Sequence, residues 1–297
     1  MSDKLVSVIM NCFNGEEFLH DAIDSVLAQT YQNWELIFWD NQSNDLSAEI
    51  FKKYKDSRLK YYYSNVHYEI VSKARNQAIA KSKGEFISFL DVDDIWLPEK
   101  LQIQLKLFEN EDIDFLCSNY FLLNERKKQK KIAFKFNLNS PIVTNKLLKN
   151  YYVALVTLVI KKNMLEKLNY IFDEEYHIIG DFDLVLRIST LGKLGYIAKP
   201  VALLRLHKNN VTNKNSNLLL NEFSAWIQKN ESTEISKFDG FQFRKDWLKY
   251  TSAIYKIMDG DKKTSFKLFL TLPFGQLKLR LFIALLLPLA LVKKIKN

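Results

Sequence analysis

The chain has 297 residues, of which 47% are hydrophobic and 26% are charged. This composition excludes a disordered protein, and the length fits one large α/β domain with an appendage, because domains usually contain about 100 to 200 residues. The net charge of +9 is local, since residues 241–297 hold 12 Lys and Arg against three Asp and the remainder is neutral. We therefore expect no nucleic-acid partner.

The two cysteines, Cys12 and Cys117, lie in apolar runs and lack C-x-x-C spacing. The sequence therefore supports neither a disulfide framework nor a zinc site. Residues 1–4 lead directly into an apolar run, without the apolar region and small-residue cleavage site of a signal peptide. These features predict a cytoplasmic protein.

Four apolar runs in residues 1–90 alternate with helical patterns. The predicted strands cover residues 5–10, 34–39, 59–63 and 85–90, and the predicted helices cover residues 14–30, 47–54 and 71–82. This alternation predicts a mainly parallel, doubly wound sheet that is flanked by helices. Because ligands bind at the carboxyl ends of the strands in such sheets, we expect Asp40 and Asp91, which follow the second and fourth strands, to face one ligand.

The pattern changes beyond residue 97. A helix is predicted over residues 98–109, a hairpin over 114–123 and 132–136, a strand over 153–160 and a helix over 162–168. The Lys-rich connection of the hairpin, residues 124–131, either contacts an anionic partner or forms a solvated turn. The strand pattern is lost at about residue 211, which predicts a domain of residues 1–210 and a helical C-terminal extension of residues 211–297.

The segment Asp91-Val92-Asp93-Asp94 follows the fourth apolar run. Carboxylates that cluster at a strand end supply hard oxygen ligands, which can present Mg²⁺ or Mn²⁺ to the phosphates of a nucleotide. Such residues also occur in solvated turns that cap a following helix, and Pro98 is a typical first residue of a helix. The rest of the sequence has to decide between these two interpretations.

Three groups of segments along the chain carry further motifs. The first group is Val6–Gly15, Ala28–Glu35 and Asp40–Asp45, the second is Lys73–Ala78 and Gly84–Trp96, and the third is Gly180–Arg187. In this order and spacing they resemble the nucleotide-binding half, the DxD stretch and the catalytic-base segment of family 2 glycosyltransferases. The resemblance covers residues 4–210 and implies the GT-A fold, which is Rossmann-like.

The resemblance implies an inverting, metal-dependent glycosyltransferase that uses Mn²⁺ or Mg²⁺. Its donor would be a nucleotide sugar, with a UDP-sugar favoured and a dTDP-sugar as the alternative. Its acceptor would be a glycan or a lipid-linked glycan in bacterial surface-polysaccharide synthesis, such as that of O-antigen or capsule. We expect such an enzyme at the cytoplasmic face of the cell membrane.

The resemblance also assigns residues that bind the donor. Asp40 would accept a hydrogen bond from the imide of uracil or thymine. Phe13 would stack on that base, and Asn11 would lie beside it. For Asp40 the alternative is a carboxylate that only caps a turn.

Two basic residues precede the acidic segment in a predicted helix. Arg75 stands near the helix start, where a guanidinium and the helix dipole both favour a diphosphate, and Lys73 lies two residues earlier. A surface ion pair is the alternative for Arg75. On the donor side the resemblance adds Asp91, which would face the ribose or the sugar, and Val92.

The resemblance assigns the metal to Asp93, together with Asp91 or Asp94. The segment Leu204–Val211 contains an Arg-x-His motif that occurs late in many members of that family, so His207 would complete the metal ligands or contact the diphosphate, with Arg205 nearby. A histidine with a purely structural role is the alternative.

Asp181 matches the position of the family's catalytic base. Asp183 lies two residues on and cannot share its face of a helix, so we expect Asp183 to cap the helix or to pair with Arg187. Family members often have Glu-Asp where this chain has Gly180-Asp181. A neighbouring carboxylate that would tune the base is therefore missing.

The C-terminal tail contains an apolar run. Residues 281–292 form 12 uncharged positions between Arg280 and Lys293. A helix of this length covers about 18 Å, which is short of the roughly 30 Å of a bilayer core, so the tail is expected to lie on an anionic membrane surface and not to cross it. The alternative is a helix that packs in the core or against a second copy of the chain.

Two other functions fit some of these features. A sugar-phosphate nucleotidyltransferase also combines a parallel sheet with metal-binding carboxylates, but it normally has a Gly- and Lys-rich loop after the first strand, and residues 11–15 lack that loop. A catalytically inactive glycan-binding or scaffold protein would have no need for Asp40, Asp91, Asp93 and Asp181 together. The sequence thus favours the glycosyltransferase.

Overall fold

The structure is a computed structural model that describes residues 4–125, 127–135, 144–207 and 216–296. Contacts divide the chain into two compact units. The first unit is Met1–Val143 with Tyr152–Lys214, and the second is Thr144–Tyr151 with Asn215–Asn297. The predicted boundary at residues 210 and 211 lies outside the described residues.

The first half of unit 1 alternates strands and helices. Its elements are β1 Val6–Cys12, α1 Leu19–Leu27, β2 Trp34–Asp40, α2 Ser47–Lys53, β3 Leu59–Tyr63, α3 Val71–Ile79 and β4 Phe86–Phe89. Strand β2 is buried along its whole length, as expected for a continuous apolar strand with both faces covered. Helix α1 buries Leu19, Ala22, Ile23 and Val26, which recur at helical spacing and pack on the core.

The following elements complete the chain up to residue 206. They are β5 Ile95–Trp96, α4 Lys100–Asn110, β6 Phe115–Asn124, β7 Gln129–Ile132, α5 Thr144–Lys149, β8 Val159–Lys161, α6 Lys162–Leu165, α7 Gly180–Ser189 and β9 Leu194–Leu206. Helix α5 belongs to unit 2, and the other elements belong to unit 1.

The strands form one nine-stranded sheet in the described part of the chain, in the order β3-β2-β1-β4-β8-β6-β9-β5, with β7 paired to β6. The pairs among β1 to β4 are parallel, which confirms the predicted parallel α/β sheet. Beyond β4 the sheet is mixed, because β8 pairs antiparallel with β4 and β6 whereas β9 runs parallel to β6. The carboxyl ends of β1, β2 and β4 therefore lie together at one edge.

Several predicted boundaries were wrong. The strand predicted over residues 153–160 is a 3₁₀ turn at Leu155–Thr157, with β8 starting only at Val159. The second hairpin strand covers Gln129–Ile132 and not residues 132–136, of which residue 136 is outside the described range. Its lysines lie on an exposed edge, where Lys opposes further strand pairing. Strand β9 was not predicted, since Pro200 interrupts its apolar pattern.

The first predicted helix starts later than expected. Asn14 has a φ of 54°, in the left-handed region, and the chain makes a turn before α1 begins at Leu19. Asn tolerates this conformation better than most residues. Asn14 therefore shapes the loop after β1 and does not cap the helix.

The regular elements of unit 2 are all helices in its described residues. Besides α5 it contains α8 Ser216–Asn230, α9 Asp239–Met258, α10 Lys262–Thr271, α11 Gln276–Leu286 and α12 Leu289–Lys296. This confirms the helical C-terminal extension. The run at 281–292 is not one helix, because α11 ends before Leu287 and Pro288, whose ring cannot continue it. In the described part of the chain, no helix combines the length and the apolar character that a membrane crossing requires.

A glycine packs against the first strand at the turn before β4. A Cβ on Gly84 would lie 2.6 Å from the backbone N of Ser7 and 2.7 Å from the carbonyl O of Leu5. We expect Gly84→Ala to lower the free energy of unfolding by about 1–3 kcal/mol, because two backbone segments cannot yield as a flexible side chain can. Urea unfolding measures this change. Lys83→Ala, at the exposed neighbouring side chain, is the control, and equal stabilities of the two variants would contradict the close contact.

Candidate active site

A cavity of about 380 Å³ opens at the carboxyl edge of β1 and β2. It is lined by Asn11, Cys12, Phe13, Asn41, His67, Tyr68, Glu69, Val71 and Ala74. The parallel register pairs Cys12 with Asp40, so the residues that follow β1 and β2 come side by side. Asn11 and Phe13 were predicted to bind the donor, and the structure places both in the wall of this cavity.

Two features of the wall suit a ligand with a flat ring. The Phe13 side chain is 50% exposed, and its ring centroid lies 4.4 Å from that of the His67 imidazole. The Asn11 side-chain nitrogen is buried and has no hydrogen-bond partner within the described residues. Buried polar atoms are nearly always bonded to protein or ordered water, so this nitrogen has room for one hydrogen bond to water or to a ligand in the cavity.

Asp40 is not part of the cavity wall. Its side chain is fully buried, with Oδ1 accepting a hydrogen bond of 2.7 Å from the Ser43 N–H and Oδ2 one of 2.6 Å from the Tyr61 hydroxyl. Burial and the Asp40 charge raise the pKa of Tyr61, which keeps the phenol a donor. Asp40 therefore holds the turn after β2, and its contact with a base stays a prediction.

Asn41, and not Asp40, lines the cavity. Its amide oxygen accepts a 3.0 Å hydrogen bond from the Tyr68 N–H, and its amide nitrogen donates one of 2.8 Å to the Tyr68 carbonyl. These bonds fix residues 67 and 68 as the far wall of the cavity. Asn41, His67 and Tyr68 were missed by sequence reasoning, although Asn41 stands in the quoted motif.

Arg75 and Asp91 form an ion pair beside the cavity. One guanidinium nitrogen of Arg75 lies 2.9 and 3.2 Å from the two carboxylate oxygens of Asp91. The Arg75 side chain is largely buried and lies over the Phe172 ring, whereas Asp91 is partly exposed. Lys73 is on the same helix and partly buried. Arg75 is thus a fixed cation at the edge of the sheet and not a loose surface charge.

The next carboxylate of the acidic segment reaches the histidine of the Arg-x-His motif. The Nε2 atom of His207 lies 2.8 Å from Oδ2 of Asp93. Burial and the nearby charge of Asp91 raise the pKa of Asp93, while the contact with His207 opposes this change. The predicted partnership of Asp93 and His207 is therefore present. The end of the Leu204–Val211 segment lies outside the described residues.

Asp94 and Val92, the other two residues of the segment Asp91–Asp94, pack against the interior of unit 1. Asp94 is buried and accepts a 2.9 Å hydrogen bond from the backbone N–H of Arg205. Val92 packs against the core, and its side chain would be 2.8 Å from a Cβ on Gly15. Roles for Asp94 in metal binding and for Val92 in donor binding stay predictions.

Arg205 ties this loop to the rest of unit 1. Its Nε donates a 2.9 Å hydrogen bond to the carbonyl of Asp93, and its guanidinium pairs with Asp21 at 2.7 Å and with Glu125. The guanidinium also lies 4.4 Å from the centroid of the Phe18 ring. The sequence predicted only that Arg205 is near His207, and its role in holding the loop was missed.

The donor atoms suit a divalent cation that a phosphorylated ligand completes. Asp93 and His207 offer a carboxylate and an imidazole together, but the described residues contain no group of three or more His, Cys, Asp or Glu that could hold a metal. Mg²⁺ commonly binds through one or two carboxylates plus substrate phosphates and water, and not in an all-protein cage. The residues present fit that kind of site.

Asp181 lies in the first turn of α7. Burial raises the pKa of its carboxyl to about 6, although the positive charge of Arg75 and a 2.8 Å hydrogen bond from the Phe182 N–H both favour the charged form. Asp183, by contrast, is buried in an ion pair of 2.7 Å with Arg187, which confirms the predicted pairing. Of the two aspartates, Asp181 is the one without an ion-pair partner in the described residues.

Helix α7 approaches α3 closely. A Cβ on Gly180 would lie 2.6 Å from Oγ of Ser72, and that hydroxyl donates a 2.7 Å hydrogen bond to the Tyr176 carbonyl. Asn76 makes two 2.9 Å hydrogen bonds with the backbone of Phe172. This packing brings Asp181 within electrostatic reach of Arg75, and it gives a reason for glycine at position 180.

The comparisons identify the class of protein that this site belongs to. The profile described as Glycosyl transferase family 2 matches residues 7–184. Because the match covers more than half of the chain, the protein belongs to this family and is a glycosyltransferase. Family membership decides against the nucleotidyltransferase alternative.

Two relatives from Escherichia coli, WfgD and WfaP, carry the name UDP-Glc:alpha-D-GlcNAc-diphosphoundecaprenol beta-1,3-glucosyltransferase. WfgD is 37% identical over 180 residues, which are 60% of this chain and 69% of WfgD. WfaP is 32% identical over 175 residues, which are 58% of this chain and 68% of WfaP. This chain is therefore similar to enzymes named for a UDP-sugar and a lipid-linked acceptor.

Solved structures show the same fold. Residues 1–349 of Staphylococcus aureus TarS in complex with UDP-GlcNAc match with a TM-score of 0.68 at 16% identity, over 84% of this chain and 71% of that chain. The mannosyltransferase PcManGT from Pyrobaculum calidifontis, in complex with GDP-Man and Mn²⁺, matches with a TM-score of 0.63 at 15% identity, over 98% of this chain and 83% of that chain. The fold is GT-A, as predicted.

The buried bond between Tyr61 and Asp40 generates a stability prediction. We expect Tyr61→Phe to lower the free energy of unfolding by about 1.5–3 kcal/mol, because it leaves a buried carboxylate oxygen without a donor. Denaturant unfolding measures the difference. The control is Tyr63→Phe, the same change on the same strand at a side chain that is 55% exposed. A loss no larger than in the control would show that this bond does not hold Asp40.

Proposed function

We propose that the protein is an inverting, metal-dependent glycosyltransferase of surface-polysaccharide synthesis, acting in the 1–210 domain on a nucleotide-sugar donor and a lipid-linked glycan acceptor. The observation that supports the proposal is that Asp181, whose pKa is raised, lies within electrostatic reach of the Arg75–Asp91 ion pair, where Asp91 stands two residues before the Asp93 that contacts His207. A UDP-sugar is favoured over a dTDP-sugar by the relatives named for UDP-Glc.

The cavity accounts for binding of the nucleoside. Phe13 offers an exposed ring for the base, and the side-chain nitrogen of Asn11 lacks a partner that a base or ribose oxygen would supply. Asn41 stands in the wall, where its amide bonds the Tyr68 backbone and so fixes the side of the cavity that faces Phe13. Asp40 stabilises the turn after β2, which carries Asn41, by accepting the hydrogen bond from the Ser43 N–H.

The diphosphate belongs at the edge between Arg75 and Asp93. Arg75 supplies positive charge, with Lys73 on the same helix, and Asp91 keeps the guanidinium in place. Asp93 and His207 would hold Mn²⁺ or Mg²⁺, which supplies charge neutralisation at the leaving phosphate when bound. Asp91 is the further carboxylate that faces this region, since it remains partly exposed.

Asp181 acts as the base. Its ionised carboxylate takes the proton of the acceptor hydroxyl while the new bond to the sugar forms and the bond to the nucleoside diphosphate breaks. The attacking oxygen and the leaving group are on opposite faces of the sugar, so a single displacement inverts the configuration. No enzyme nucleophile is required.

The proposed acceptor and the basic C-terminal tail both favour a location of the enzyme at a membrane. A lipid-linked glycan keeps its lipid in the membrane, and the 36 residues from 262 to 297 contain eight Lys and Arg and no Asp or Glu. We propose that the enzyme works as a peripheral protein at the cytoplasmic face of a bacterial membrane. Basic residues near that leaflet are attracted by its anionic lipids.

Donor and metal use can be tested by thermal stabilisation. We expect UDP-sugars with Mn²⁺ or Mg²⁺ to raise the melting temperature more than either alone, since a ligand at a hundred times its Kd stabilises the native state by about 2.7 kcal/mol. Asp93→Asn should lose the metal-dependent part of the increase. Asp259→Asn, at an exposed residue of unit 2, is the control. An equal response of both variants would remove Asp93 from the metal site.

The base assignment predicts a kinetic split. Asp181→Asn should lower kcat by about 10²- to 10⁴-fold, as is typical for loss of a positioned base, while the affinity for the donor stays nearly unchanged. Wild-type kcat/KM should fall about tenfold for each pH unit below about 6, because the base must be deprotonated and its pKa is raised to about 6. Steady-state kinetics and donor titration measure both effects. Full turnover of Asp181→Asn, or a pH limb near 4, would refute the role.

A further inference from the structure

Most of the exposed large apolar side chains of unit 2 lie on two neighbouring helices and the loop between them, and α12 adds Leu289 and Leu291. Helix α11 exposes Leu279, Phe282, Ile283 and Leu286, which recur at spacings of three and four residues and so form one stripe. Helix α10 adds Phe266 and Leu270, which are one turn apart. The loop between the helices carries Phe274, whose side chain is 99% exposed.

These side chains form one continuous surface. The ring centroids of Phe266 and Phe269 lie 5.8 Å apart, and those of Phe269 and Phe282 lie 6.0 Å apart, so ring contacts run from α10 to α11. We call the surface formed by Phe266, Leu270, Phe274, Leu279, Phe282, Ile283 and Leu286 the tail face.

The residues of the tail face are not part of the hydrophobic core of unit 2. Helix α11 packs inward with Leu281 and Ala284, which join a cluster with Ala253, Ile257 and Leu272. The exposed stripe lies on the other side of the same helix. Lys278 and Arg280 flank this stripe, and an exposed apolar patch that is rimmed by polar residues marks a site of interaction with a protein or a membrane. The tail face is therefore a candidate interaction surface.

Charge distinguishes between the candidate partners. Residues 262–297 contain eight Lys and Arg and no Asp or Glu. Lys263 and Lys267 are exposed on α10, and the Nζ of Lys278 lies 5.1 Å from the Phe269 ring and 5.5 Å from the Phe274 ring. Cations at the rim of an apolar surface match an anionic leaflet, where lysine stems reach along the acyl region and their ammonium groups meet the headgroups.

A second copy of the chain fits the tail face poorly. A two-fold interface uses the same patch on both subunits, so the patch must be complementary to itself. Two tail faces would bring together only like charges, since neither contains a carboxylate side chain. An anionic bilayer supplies the missing negative charge without that repulsion.

We propose that the tail face is a membrane-docking surface, on which α10 and α11 lie in the plane of an anionic bilayer and Phe274 leads the insertion. The inference rests on the proposed peripheral location and specifies the two-helix surface that produces it. It goes beyond the expectation drawn from the apolar run of residues 281–292, because Phe266, Leu270 and Phe274 lie outside that run.

Vesicle sedimentation of the full chain tests the proposal. We expect the wild type to bind phosphatidylcholine vesicles with 30% phosphatidylglycerol at least tenfold more tightly than pure phosphatidylcholine, since each basic residue at the surface contributes on the order of fivefold. Phe274→Ser with Leu286→Ser should weaken binding at least tenfold. Lys263→Glu with Lys267→Glu should weaken binding to the anionic vesicles and reduce its salt dependence.

Matched controls use the same changes elsewhere. Leu191→Ser alters a leucine of unit 1 that is 50% exposed, and Lys106→Glu alters an exposed lysine of α4; both should bind as the wild type does. Binding of the wild type to neither vesicle, or equal binding of the tail-face and control variants, would overturn the proposal. So would a dimer that the Phe274 and Leu286 changes dissociate without any vesicle binding.

The outcome is separable from that for the proposed function. The same variants are assayed for UDP-sugar-dependent thermal stabilisation in the absence of lipid, which reports on unit 1 alone. Loss of vesicle binding with donor stabilisation retained supports the tail face and leaves the transferase intact. Failure of donor stabilisation in the wild type would concern the proposed function and not the docking surface.

Discussion

The buried guanidinium of Arg205 is the interaction on which the geometry of the site depends. It joins the carbonyl of Asp93, the carboxylates of Asp21 and Glu125 and the ring of Phe18, although Asp21 and Arg205 are 184 residues apart in the sequence. The guanidinium is buried whereas Asp21 and Glu125 are 58% and 40% exposed, so removing these partners would leave a buried charge without compensation. The cluster thus holds the acidic loop, α1 and the end of β6 in one arrangement. Because Arg205 holds the backbone of Asp93, the contact between the Asp93 carboxylate and His207 depends on this cluster.

The parallel half of the sheet could be predicted because its signal is local. Strands β1, β2 and β4 are short apolar runs with helical patterns between them, and each such run is buried on both faces. The later strands are mixed in direction, and their patterns are weaker. Strand β9 contains Pro200 and pairs with β6 through shifts in register, which no periodicity in the sequence reveals.

The sequence predicted some residues of the site and missed others. Asn11, Phe13 and the Asp93–His207 partnership follow from motifs, and the Asp183–Arg187 pair follows from helix spacing. The sequence assigned the base contact to Asp40 and gave Asn41 no role, because a motif does not show which of two neighbouring residues, whose side chains point in opposite directions, faces the cavity. Only the position of Tyr61 on β3 and the backbone of Tyr68 decide which one is enclosed, and both are tertiary contacts.

The contact between α3 and the segment leading into α7 makes the site preorganised. Ser72 and Asn76 bond directly to the backbone of Tyr176 and Phe172, so the helix that carries Arg75 and the one that carries Asp181 behave as a single body. The separation between the Arg75 guanidinium and the Asp181 carboxylate is therefore set by the fold, before any ligand arrives, and neither residue has to be repositioned by binding at the other.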